Sequence, residues 1–105
     1  MTTKETAIAT LNAFFTHLGG RQPFIKDSWD GYQHISAEKH LGKRRYKLSA
    51  VVSDMYPEIV RVTAYDFRKR AKRDMVLTIE VTPELAAKFT LEAIDAYEAE
   101  MEDAA

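Results

Sequence analysis

From Tyr46 onward apolar and polar residues alternate, and this period of two constrains the fold more than any other feature. Tyr46, Leu48, Ala50 and Val52 are separated by Lys47 and Ser49, which places the apolar set on one face of a half-buried strand. Met55-Tyr56-Pro57-Glu58 interrupts the pattern, because Pro57 has no N–H to give to a ladder. A second strand is expected from Ile59 to Phe67 and a third from Met75 to Val81. The connection Arg68-Lys69-Arg70-Ala71-Lys72-Arg73 is short enough for a hairpin, so these strands form an antiparallel meander.

Helical patterns flank the strands. Thr2 followed by Glu5 fits a capping box, and Ile8, Leu11, Phe14, Phe15 and Leu18 recur at helical spacing before Gly19-Gly20 supplies a stop. Thr82-Pro83-Glu84 is a second helix start, with a capping threonine, a proline suited to the first turn and an acid near the positive end of the dipole. Leu85, Phe89, Ile94, Tyr97 and Met101 are expected as its buried stripe. Residues 21–42 are ambiguous: Asp30-Gly31 between Trp29 and Tyr32 suits a tight hairpin turn, Tyr32 to Ser36 suits a short strand, and Ser36 to Leu41 suits one helical turn closed by Gly42. The expected architecture is α+β: an N-terminal helix, an antiparallel sheet of three to five strands, and a long C-terminal helix on one sheet face. Residues 1–105 read as a single compact domain.

Composition narrows the function classes. The absence of cysteine removes disulfides, thiolate metal sites and cysteine nucleophiles. No apolar run approaches the ~20 residues of a membrane span. The opening Met1-Thr2-Thr3-Lys4-Glu5 leads directly into an amphipathic pattern without a signal-peptide core, so a cytoplasmic location is expected. The formal charge of −1 hides a segregation: residues 43–73 carry ten basic side chains against Asp54, Glu58 and Asp66, whereas residues 82–105 carry seven acidic ones against Lys88 alone. For partner choice the local field matters more than the total.

The meander gives that segregation a shape. Lys43, Arg44 and Arg45, before the first strand, approach Arg68, Lys69, Arg70, Lys72 and Arg73 at one end of the sheet. The last helix starts at the other end and returns, so Glu98, Glu100, Glu102 and Asp103 finish beside the basic end. There they either neutralise it or act as a cover that competes with an anionic partner, which deletion of residues 98–105 would separate. With Val60, Val62 and Ala64 facing inward, Arg61, Thr63, Tyr65 and Phe67 face outward, joined by Arg45, Lys47 and Ser49. Cations beside flat rings suit single-stranded RNA or DNA, and equally a protein interface. The alternative is that residues 21–42 cover Tyr65 and Phe67.

Catalytic chemistry has little to work with. His17, His34 and His40 are the only imidazoles. His34, Glu38 and His40 would make a weak metal site only if that stretch were helical, and surface or half-buried structural histidines are the simpler reading. Glu98 and Glu102 read as a solvated helix face, and Gly19-Gly20-Arg21 as a helix stop. Trp29 and Tyr32 suit cross-strand packing better than a ligand clamp. Nucleophile elbow, phosphate-cradling loop and HExxH are all absent. The order helix, three strands, helix invites comparison with double-stranded-RNA-binding domains, but their final helix opens on lysines and this one on Thr82-Pro83-Glu84-Leu85. The aromatic strands and βαβ order of RNA recognition motifs are likewise missing.

The expectation is therefore a non-catalytic binding protein, with no cofactor and no metal, that occupies a surface of a protein or ribonucleoprotein partner. An inhibitor or accessory factor of the kind carried by phages and mobile elements, anti-defence inhibitors included, has this profile. Two alternatives stand beside it: a nucleic-acid-binding accessory protein using the basic 43–47 and 68–73 segments and the outer sheet face, and a small enzyme with a site built from residues 21–42 and the sheet edge. Homodimerisation through the sheet or a helix stripe is compatible with each.

Overall fold

A computed structural model describes residues 1–41, 46–66 and 74–104. Eight elements follow in order: α1 (Thr3–Leu18), β1 (Ile25–Asp27), α2 (Trp29–Tyr32), β2 (His34–His40), β3 (Tyr46–Ser53), β4 (Val60–Asp66), β5 (Asp74–Val81) and α3 (Pro83–Ala104). The strands form one five-stranded antiparallel sheet in sequence order, β1-β2-β3-β4-β5. The α+β architecture expected from the pattern is the one observed.

The capping box forms at the start of α1. The Thr2 hydroxyl accepts the Glu5 N–H at 3.1 Å and the Glu5 carboxylate accepts the Thr2 N–H at 3.3 Å. The helix buries Ala7, Leu11, Phe14, Phe15 and Leu18, with Phe14 and Phe15 edge to face at 4.9 Å. Gly19 ends it at φ 86°, donating its N–H to the Phe15 carbonyl. Lys39 then reaches across from β2 to donate to the Gly19 carbonyl at 2.6 Å, a cation at the negative end of the helix dipole.

Both helices lie on one side of the sheet, α1 over β2 and β3 and α3 over β4 and β5, and they pack against each other. Beneath them the inward row is Ile35 and Ala37 of β2, Tyr46, Leu48, Ala50 and Val52 of β3, and Val60, Val62 and Ala64 of β4. Every one of these is essentially inaccessible to solvent. No helix among the described residues is long and apolar enough to cross a membrane.

Three expectations are corrected. Asp30-Gly31 is not a hairpin turn but the middle of α2. The Asp27 carboxylate accepts the Trp29 N–H at 3.0 Å, the Ser28 carbonyl accepts that of Tyr32, and Gln33 closes the turn at φ 54°. Ser36 to Leu41 is not a helical turn, because residues 34–40 belong to β2. Its alternation buries Ile35 and Ala37 opposite Val52 and Ala50. The buried stripe of α3 is Ala86, Ala87, Thr90 and Ile94, with Tyr97 and Met101 half-buried; Leu85 and Phe89 remain 45% and 46% exposed. Small side chains at the contact let the helix approach the sheet closely, so the alanines face inward and the larger residues stay outside.

The path of α3 is set by its two ends. It begins beyond Val81, which pairs with Val60, and its Tyr97 ring meets that of Tyr46 edge to face at 6.2 Å. Tyr46 pairs with Asp66 at the opposite end of the sheet. The helix therefore runs back along β5, and its last acidic turns lie past Tyr46.

Candidate functional site: the uncovered sheet face

With the helices on one side, the alternate residues of each strand form a face that no described helix covers. Register assigns Ser36, Glu38 and His40 to it from β2, Lys47, Ser49 and Val51 from β3, Arg61, Thr63 and Tyr65 from β4, and Thr78 and Glu80 from β5. Within residues 21–41, β1 and β2 extend the sheet sideways, and Phe24 and Lys26 stand beside this face.

Of the residues expected at the site, Lys47, Arg61 and Tyr65 stand together on this face, with Lys47 directly opposite Tyr65. Lys43, Arg44, Arg45, Phe67, Arg68, Lys69, Arg70, Lys72 and Arg73 lie outside the described residues. Both described cations are already engaged. Lys47 Nζ is 2.5 Å from Glu38 and Arg61 Nε is 2.6 Å from Glu80, its cross-strand partner. Such exposed pairs contribute about 0.2–1 kcal/mol each. Thr63 and Thr78, also directly opposed, share a hydroxyl hydrogen bond at 3.3 Å.

Two open depressions mark the face and meet at Val51. One is bounded by Val51, Ser53, Tyr56, Ile59, Arg61 and Glu80. The other, about 400 Å³, is bounded by Phe24, Lys26, Ser36, Glu38, Ser49 and Val51. Phe24 stands 90% exposed at its rim. Sequence reading missed Phe24, Val51, Tyr56 and Ile59. Val51 carried a readable signal, an aliphatic residue on the row otherwise held by Lys47 and Ser49; Phe24 and Tyr56 come from connections and carried none.

The metal-site alternative loses its helical premise, because residues 34–40 are a strand. His34, Glu38 and His40 do share a face, but on a strand they are about 13 Å and 7 Å apart at ~3.3 Å per residue. Among the described residues no group of three His, Asp or Glu side chains is placed to hold a metal ion. The shifted pKa values belong to other places. The hydrogen bond across the Lys4–Asp27 pair, 2.7 Å long, raises the lysine and lowers the aspartate, and partial burial lowers Lys39.

No family model, no curated protein and no solved structure matches the chain.

Proposed function

We propose that this chain is a small cytoplasmic binding protein, an inhibitor or accessory factor of the phage or mobile-element type, that acts by occupying a surface of a protein or ribonucleoprotein partner without catalysing a reaction. One observation carries the reading: a sheet layered on one side only, whose open side mixes Phe24, Val51, Tyr56 and Ile59 with Lys26 and Arg61. Aromatic residues and arginine are the usual anchors of protein interfaces. A nucleic-acid partner is the second reading, supported by the basic residues of the 43–47 and 68–73 segments. Against it, Lys47 and Arg61 are already paired with Glu38 and Glu80, whose carboxylates repel a phosphate approaching either cation.

The test is capture from nuclease-treated and untreated extract of the native host by the full chain and by Val51→Lys. A protein retained after nuclease by the wild type and lost by the variant supports the reading. Equal retention by the variant removes the uncovered face as the contact surface, and the absence of any protein retained after nuclease refutes the reading. Loss on nuclease treatment, with binding that falls steeply with salt and with Arg68, Lys69 and Arg70 changed to Glu, moves the assignment to nucleic acid. Size-exclusion chromatography with light scattering reads whether a homodimer uses the same face.

A further inference from the structure

The end of the sheet away from Tyr46 carries a further surface, which shares Tyr56 with the first depression. There α2 and the β3–β4 turn are joined by the Asp54 N–H, which donates to the Gln33 carbonyl at 3.0 Å. Three large side chains project from this junction: Tyr32 is 81% exposed, Met55 75% and Tyr56 65%. Isolated exposed apolar residues need no explanation, but three on two joined turns form a patch.

The patch is held from beneath. Trp29 of α2 packs against the hydrophobic core, and the Thr10 hydroxyl of α1 donates to the Pro57 carbonyl. The Tyr32 ring also lies 5.9 Å from that of His34. A surface anchored in this way has already lost much of the freedom that binding would otherwise remove.

Its charge is of one sign. Residues 28–34 and 53–59 contain Asp30, Asp54 and Glu58 and neither lysine nor arginine. Two cations beside it are matched, Lys4 near Asp30 by Asp27 and Arg61 near Tyr56 by Glu80. Negative charge around apolar anchors repels nucleic acid and anionic lipid and attracts a cationic protein surface.

We propose that α2 and the β3–β4 turn form a protein-docking tip, and that its partner presents a basic surface with an apolar pocket for Tyr32, Met55 and Tyr56. The assignment rests on reading the chain as a binding protein, and adds both a contact site and the sign of the partner.

The test selects a random peptide library on the immobilised full chain and titrates the winning peptides into isotope-labelled protein, with poly(dT) as the anionic probe. Expected winners combine Lys or Arg with aromatic or aliphatic residues and shift amide signals across residues 30–34 and 53–58. Tyr32→Ser with Met55→Ser, and separately Asp54→Lys with Glu58→Lys, each weaken them at least ~tenfold, or about 1.4 kcal/mol. Glu92→Lys, on the exposed side of α3, leaves affinity within about twofold, a change of less than ~0.5 kcal/mol. Circular dichroism melts establish that each variant is folded, and two exposed turns tolerate such changes. Winners that map to the uncovered sheet face and are lost with Val51→Lys overturn the tip while leaving the binding-protein reading intact. Poly(dT) binding at the tip, or tip signals that sharpen on dilution because a second copy is the occupant, also overturn it. A library that yields no binder overturns both.

Discussion

Thr90 is the one described residue whose buried side-chain polar atom has no hydrogen-bond partner. It sits in the middle of the inward stripe of α3 and is fully inaccessible to solvent. A hydroxyl desolvated without compensation costs about 1–3 kcal/mol relative to one that is paired. Thr90→Val replaces Oγ1 with a methyl group of nearly the same shape. Threonine and valine have similar helix propensity, so the backbone contributes little to the difference. The expected outcome is stabilisation by about 1–2 kcal/mol, the lower part of that range, because the site also has to fit slightly more volume. For a domain of this size 1 kcal/mol corresponds to roughly 4–8 °C in Tm. Urea unfolding followed by circular dichroism should move to a higher midpoint at unchanged slope, since the surface exposed on unfolding is unaltered. Thr90→Ser serves as the control: it keeps the hydroxyl, loses the methyl, and should cost about 1 kcal/mol. Destabilisation of Thr90→Val by more than about 0.5 kcal/mol, a loss beyond ordinary surface-level variation, would refute the reasoning by showing that the hydroxyl has a partner.

Ile94→Ala should cost about 2–5 kcal/mol in the same assay, as a large-to-small change in a closed core, whereas Leu85→Ala should cost under about 1 kcal/mol. Equal losses would contradict the orientation of α3. Thr2→Ala removes the capping hydroxyl of α1 and should cost about 1 kcal/mol, with Thr2→Asn restoring most of it. The Lys4–Asp27 pair predicts opposite limbs of a pH profile. Asp27 is depressed by its bonds to Lys4 and the Trp29 N–H, so its contribution is present above pH 3.8 and fades as pH falls through its folded value. Lys4 is raised by the same partner, so its contribution is complete below pH 10.5 and fades as pH rises through its folded value. Asp27→Asn should flatten both limbs in melts across pH, and unchanged limbs would mean that the pair is not formed in solution.

What the sequence revealed divides by the range of the forces involved. The capping box and the alternation of Tyr46, Leu48, Ala50 and Val52 are local patterns, and both could be read directly. Residues 36–41 misled because two apolar positions, Ile35 and Ala37, are too few to distinguish a strand from a helical turn. The choice is made by pairing with Val52 and Ala50, which lie far away in sequence. In α3 the largest apolar residues suggested the inward face, yet close approach to the sheet favours Ala86 and Ala87 there and leaves Leu85 and Phe89 outside. At the candidate site the same division holds. Lys47, Arg61 and Tyr65 followed from strand parity, but their pairing with Glu38 and Glu80 depends on register between strands. The acidic tip joins residues about twenty positions apart through the Gln33–Asp54 bond, which no local pattern reports.

Why one sheet face is left open follows from the amount of helix available. Five strands spaced ~4.8 Å apart make a sheet roughly 20–24 Å wide, and two helices packed side by side at 8–10 Å between axes, each about 10–12 Å across, span about the same width. The described residues form two long helices, 16 and 22 residues, and both are used on the face that carries the inward row. Among the described residues none remains for the other side. An antiparallel sheet tolerates this when its outer row is polar, and Lys47, Ser49, Arg61, Thr63, Thr78 and Glu80 satisfy that condition. Val51, with Phe24 and Ile59 at the depressions beside it, does not contribute to that solvation. These side chains neither join the core nor solubilise the surface, so removing them should leave stability almost unchanged. Stability retained after Phe24→Ser and Val51→Lys, together with loss of partner capture, would separate their role in binding from any role in folding.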